Sequence, residues 1–122
     1  MVHKESILQR QLVAWFRLQY PKLVLASVPN GGRRGLIEAK ILKAEGALAG
    51  FADLILLKPN KEYHALFIEV KSEKGKQTQT QKDFEKYVTE NGYCYVVVKT
   101  FDEFKSTIEE YLKKDNFCPQ II

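Results

Sequence analysis

Three residues in the middle of the chain have the types and spacing to do chemistry. Asp53 opens the apolar run Leu54-Ile55-Leu56-Leu57. Glu69 interrupts a second apolar run, Leu66-Phe67-Ile68-Glu69-Val70, and Lys71 follows it. Alternation along a strand sends Phe67, Glu69 and Lys71 to one face and Leu66, Ile68 and Val70 to the other. A carboxylate inside an apolar strand is costly to bury unless something pairs it. Lys71 on the same face would do so. A divalent cation held between Glu69 and Asp53 would do so as well, because carboxylate oxygens suit Mg²⁺ or Mn²⁺, and a nearby lysine can orient or deprotonate a water. The plainer reading is a Glu69–Lys71 salt bridge on a solvated sheet face, which requires no function. What weighs against it is the second acid at the head of the neighbouring run, three residues after Gly50.

The surrounding segments must position these side chains. Lys58-Pro59-Asn60-Lys61-Glu62 has turn composition, so the two apolar runs read as a β-hairpin. Residues 4–20 carry Leu8, Leu12, Trp15 and Phe16 at helical spacing, ending at Pro21. Glu5 projects from that stripe near the start of the helix. It is either a favourable first-turn acid or a third acid aimed at the same site. Residues 23–28 read as a strand. The loop Pro29-Asn30-Gly31-Gly32-Arg33-Arg34-Gly35 has turn chemistry, with backbone and arginines suited to phosphate; it lacks the ending of a P-loop. A helix is expected over 36–45, with Gly46 as its cap.

After the hairpin comes a polar loop, 72–77, with Lys74 and Lys76. Together with Arg33 and Arg34 these are candidate phosphate contacts. A helix over 78–90 buries Phe84, Tyr87 and Val88. Gln81 falls on that stripe; either it closes a capping box with Thr78 or it serves the site. Residues 93–99 form a strongly apolar strand with Cys94 as a buried thiol, and Thr100 opens a last helix bearing Phe104, Ile108, Tyr111 and Leu112.

The chain of 122 residues reads as one domain, 1–122, large enough to bury roughly two-thirds of its unfolded surface. Its 19 basic and 15 acidic residues leave a net charge of +4, which permits nucleic-acid binding without demanding it. The two cysteines show no zinc spacing. No apolar run is long enough to span a bilayer and no signal-peptide pattern is visible, so the expectation is a reducing, cytoplasmic compartment.

The element order, helix-strand-helix-strand-strand-helix-strand-helix, predicts an α/β domain with a central mixed four-stranded sheet flanked by helices. Its last two strands are parallel across a right-handed crossover. In this frame the chain resembles the PD-(D/E)xK nucleases with their restriction-endonuclease-like core. More closely, it resembles the virus-type replication-repair nuclease domain, VRR-NUC. The resemblance rests on Glu5, Pro29-Asn30-Gly31-Gly32, Gly50-Phe51-Ala52-Asp53-Leu54, Phe67-Ile68-Glu69-Val70-Lys71-Ser72, Gly75 and Gln81. It implies a Mg²⁺ or Mn²⁺ site made by Asp53, Glu69 and the Val70 carbonyl, with Lys71 serving the attacking water. Glu5 and Gln81 match outer positions that orient metal waters or Lys71, and Asn30 falls in the loop motif expected to face DNA. Ala52 departs from the proline often found before the aspartate. The size resembles the minimal, stand-alone form of phages and prophages, which implies a homodimer acting on branched DNA such as Holliday junctions in a bacterial or infected cell. The alternatives are a flap- or single-strand-directed nuclease, a non-catalytic nucleic-acid binding module with the same fold, and a purely structural ion-pair network.

Overall fold

The central hairpin forms as its composition requires, and the rest of the sheet assembles on it. The computed structural model describes residues 2–28 and 36–113. The elements in chain order are α1 (Val2–Gln19), β1 (Leu25–Ser27), α2 (Leu36–Ala44), β2 (Leu54–Leu56), β3 (Leu66–Val70), α3 (Gln79–Glu90), β4 (Cys94–Val98) and α4 (Phe101–Leu112). The sheet order is β1-β2-β3-β4. The first two pairings are antiparallel, and β3 runs parallel to β4, with Glu69 opposite Val97. The α/β, restriction-endonuclease-like expectation therefore holds.

The two faces of the sheet are filled unequally. On one, Leu12 and Phe16 of α1 and Phe104, Ile108 and Tyr111 of α4 close over Leu54, Leu56, Leu66, Ile68, Val70, Val96 and Val98. On the other, α3 covers a smaller cluster of Ala52, Phe67, Phe84, Val88 and Tyr95. Each fully buried large side chain contributes about 1.5–3 kcal/mol, so most of the stability resides on the α1/α4 face.

Two local expectations change. Tyr87 is 65% exposed; one residue before Val88, it is turned about 100° around α3 and misses the narrow contact with the sheet. Ile37 and Ile41 of α2 are exposed as well, so that helix does not bury its apolar stripe within the described residues. Cys94 is buried in β4 as expected. No described helix is long and apolar enough to cross a membrane.

Candidate active site

The site lies where β3 ends and β2 begins, with α1 approaching from one face of the sheet and α3 from the other. Asp53 stands in the bend before β2, and its carbonyl is held by the Val28 N–H at 3.0 Å. Gly50 makes that bend possible. Its φ is +87°, and a Cβ there would collide with the Thr80 carbonyl at the start of α3. Across the hairpin the Val70 N–H donates to Asp53 Oδ2 at 2.8 Å, which brings the aspartate against the end of β3.

Glu69 is 2% exposed, so the solvated salt bridge expected on simplest grounds is not what the fold builds. Gln81 and Lys71 both approach one oxygen of its carboxylate, and the Asp53 carboxyl lies against the group. Gln81 Nε2 donates to Oε2 at 2.9 Å, and Lys71 Nζ lies 3.6 Å from the same oxygen. Oε1 is buried with no hydrogen-bond partner. Native structures rarely leave a buried polar atom in that state.

Gln81 serves both of its expected purposes. Its Oε1 accepts from the Thr78 N–H at 2.9 Å, and its own N–H donates to Thr78 Oγ1 at 3.3 Å, which closes the capping box. The amide nitrogen left over reaches Glu69. The cap thus fixes the rotamer that the site uses.

Glu5 comes from the first turn of α1. Its Oε2 accepts from the Ser72 N–H at 3.2 Å, and Gly75 packs so close that a Cβ would sit 3.3 Å from the same oxygen. The turn after β3 therefore folds onto Glu5. Lys74 and Lys76 are exposed on and beside that turn. Asn30, Arg33 and Arg34 lie outside the described residues.

Electrostatics follow from this crowding. Burial pushes the Glu69 carboxyl up to about 8; the Asp53 charge pushes the same way, and Lys71 opposes. Asp53 is also raised, by burial first, with Glu5 adding to it and the Val70 N–H, the Glu69 carboxyl and Lys71 pulling back. Two buried carboxyls that are both raised, Glu69 in part by the Asp53 charge, lack a full compensating positive charge. Beneath them, Tyr95 is fully buried, its hydroxyl bonded by Gln77 Nε2 at 3.3 Å, and burial and the Glu69 charge raise it too.

A divalent cation fits this donor set. Among the described residues no group of three His, Cys, Asp or Glu side chains is arranged for a metal. Mg²⁺, however, binds through one or two carboxylates and keeps its waters. Asp53, the orphaned Oε1 of Glu69 and the Val70 carbonyl would hold it, beside a cleft of ≈ 210 Å³ lined by Glu5, Ser6, Gln9, Arg10, Asp53 and Val70. The fold thus gathers Glu5, Asp53, Glu69, Val70, Lys71 and Gln81 at one place. Sequence reasoning missed Arg10, which faces the same cleft; its i, i+4 step from Ser6, one residue past Glu5, was the available signal. It also missed Tyr95 and Gln77, for which the sequence carries none.

Comparison with known proteins identifies the fold and the family. The VRR-NUC domain profile matches residues 2–102. A solved structure described as a VRR_NUC domain protein superposes with a TM-score of 0.76 at 27% identity, over 93% of this chain and 92% of that one. No curated protein matches. With the profile spanning most of its length, this chain belongs to the VRR-NUC family of nucleases.

Proposed function

We propose that the chain is a Mg²⁺- or Mn²⁺-dependent deoxyribonuclease acting on branched DNA, Holliday junctions included, as a homodimer in the cytoplasm of a bacterial or infected cell. The observation that carries the metal dependence is the buried, unpartnered Oε1 of Glu69 beside Asp53. When bound, the cation supplies polarisation of the phosphate and activation of water. The protein's own groups do the rest. Asp53 and Glu69 fix the cation's place, and Gln81 orients Glu69 by occupying its other oxygen. Lys71 sets a positive charge next to the carboxylates, where negative charge builds up as water attacks phosphorus and a P–O bond breaks. Glu5, anchored by the Ser72 N–H, orients water on the α1 side. Lys74, Lys76 and the loop residues Asn30, Arg33 and Arg34 are the proposed contacts to flanking phosphates.

The dimer reading draws on an apolar surface. Ile37, Ile41, Leu48 and Tyr87 are each more than half exposed. A hollow of ≈ 590 Å³ lies between Leu48, Phe51, Phe67, Phe84, Tyr87 and Tyr93. A two-fold dimer would present one site to each of two equivalent junction strands. The test is cleavage of labelled junction, flap and linear duplex in Mg²⁺, Mn²⁺ or EDTA, with light scattering over a concentration series. Metal-dependent paired nicks in the junction by a dimer are expected. Cleavage in EDTA would overturn the metal site, and a monomer that prefers flaps would replace the junction reading.

A further inference from the structure

The cleft at the acids does not end there. A second groove of ≈ 330 Å³ is lined by Gln9, Arg10, Val13, Ala14, Arg17 and Ser27, so the two share Gln9 and Arg10. Together they run along α1 from Glu5 to Arg17, with edge strand β1 contributing Ser27. Twelve residues of helix rise about 18 Å. That is about five phosphates' rise along one strand of B-form DNA.

The charges along this path are positioned and uncommitted. Among the described residues Arg10 donates only to Ser6 Oγ, at 3.4 Å, and Arg17 only to the Leu25 carbonyl, at 3.2 Å. The ion pairs among the described residues are Lys71–Glu69 and Lys86–Glu90, so neither arginine has an acidic partner. Each spends one of five guanidinium donors on the protein, and the guanidinium fork matches phosphate oxygens. The bond from Arg17 to the Leu25 carbonyl ties its guanidinium to β1. Among the described residues the acids lining the path are Asp53 and Glu5, at the end where the cation would sit.

We infer that the groove between α1 and β1 is a track for the phosphate backbone of the strand being cut, with Arg10 and Arg17 as its phosphate contacts and Gln9 and Ser27 as neutral hydrogen-bonding partners. The inference rests on the nuclease reading for its ligand. A polyanion is the occupant because one continuous ligand must satisfy two arginines at one end and deliver a phosphate to the acids at the other.

The test uses binding, which needs no cleavage. In an Asp53→Asn parent, affinity for a fluorescently labelled four-way junction is measured against salt. Arg10→Ala/Arg17→Ala should flatten the slope of log affinity against log salt by about 1–2, at 0.9 per lost contact. Arg10→Lys/Arg17→Lys should keep most of it. With Asp53 intact, the alanine pair should raise KM several-fold and leave kcat near that of the wild-type chain. Lys58→Ala/Lys61→Ala, which removes equal charge from the loop at the opposite end of the hairpin, should change neither quantity beyond a uniform weakening. Far-ultraviolet circular dichroism and Tm show whether each variant is folded, and Arg17→Lys alone serves if the alanine at that position unsettles β1. An unchanged slope in the alanine pair, or an equal loss in the Lys58/Lys61 control, overturns the track. So does a parent that binds no DNA. A protein that binds with the expected slopes but cuts nothing in Mn²⁺ would overturn the nuclease reading and leave the track standing.

Discussion

The two ends of the β2–β3 hairpin handle buried polarity in opposite ways. At the loop end, Asn60 Oδ1 accepts from the N–H groups of Glu62 and Tyr63 at 2.9 and 2.8 Å, and its Nδ2 donates to the Tyr111 carbonyl. Tyr111 returns its hydroxyl to the Lys58 carbonyl at 2.7 Å. Burial pushes that phenol up to about 12, so it stays a donor at any working pH. Donors and acceptors match there, and no formal charge is buried. At the other end three carboxylates converge with Lys71, burial raises both Asp53 and Glu69, and one buried oxygen is left over. A fold able to satisfy Asn60 and Tyr111 so fully has the means to satisfy Glu69 as well. That it leaves excess negative charge at one end marks this end as built around something positive rather than around stability.

The contrast breaks most decisively at the acids. Asp53→Asn or Glu69→Gln should reduce Mn²⁺-dependent cleavage to background, beyond the about 10–100-fold typical of groups that only support a ligand. Neither should lower Tm in EDTA, because each removes a buried repulsion. Near wild-type cleavage in either variant would move the metal site elsewhere. Gln81→Glu comes next: it keeps the capping box, which accepts either residue, and replaces the donor to Glu69 with a fourth carboxylate. Cleavage should fall about 10–100-fold, with the helix content of the circular dichroism spectrum unchanged. A loss of helix would make Gln81 only a cap.

The electrostatic asymmetry also predicts a pH dependence. Glu69 is raised from 4.5 to about 8 in the folded protein, so the folded state binds more protons than the unfolded between those values. Its contribution to stability is full below about 4.5 and is lost as pH rises to about 8. In EDTA, Tm should fall by several degrees across that window. Glu69→Gln should flatten the fall and Mn²⁺ should oppose it. A wild-type Tm that rises from pH 5 to 8 in EDTA would contradict the crowded-carboxylate picture. The smallest effect is expected at the opposite end of the hairpin. Tyr111→Phe removes one hydrogen bond and should cost about 0.5–1.5 kcal/mol in urea unfolding, with the cleavage rate unchanged. A change in that rate would mean the two ends are coupled.

Much of this arrangement was legible in the sequence, for local reasons. Alternation placed Glu69 and Lys71 on one face, turn composition joined the strands into a hairpin, helical periodicity found all four helices, and the Thr78–Gln81 pair marked a cap. Burial was less legible. Tyr87, Ile37 and Ile41 fit apolar stripes, but a stripe is buried only where a neighbour covers it, and the α3 side of the sheet is covered narrowly.

The sequence by itself determined the element order, the hairpin and the residue types at the site, because propensity, period and turn chemistry act over a few neighbouring residues. Tertiary structure alone decided that Gln81 reaches Glu69 as well as its cap, that Ser72 and Gly75 close on Glu5, that Oε1 of Glu69 is left without a partner, and that Arg10 and Arg17 extend the same cleft. These facts depend on distances between segments up to 67 positions apart, as from Glu5 to Ser72. Only the packing of α1 and α3 on opposite faces of one sheet brings such segments to a common end.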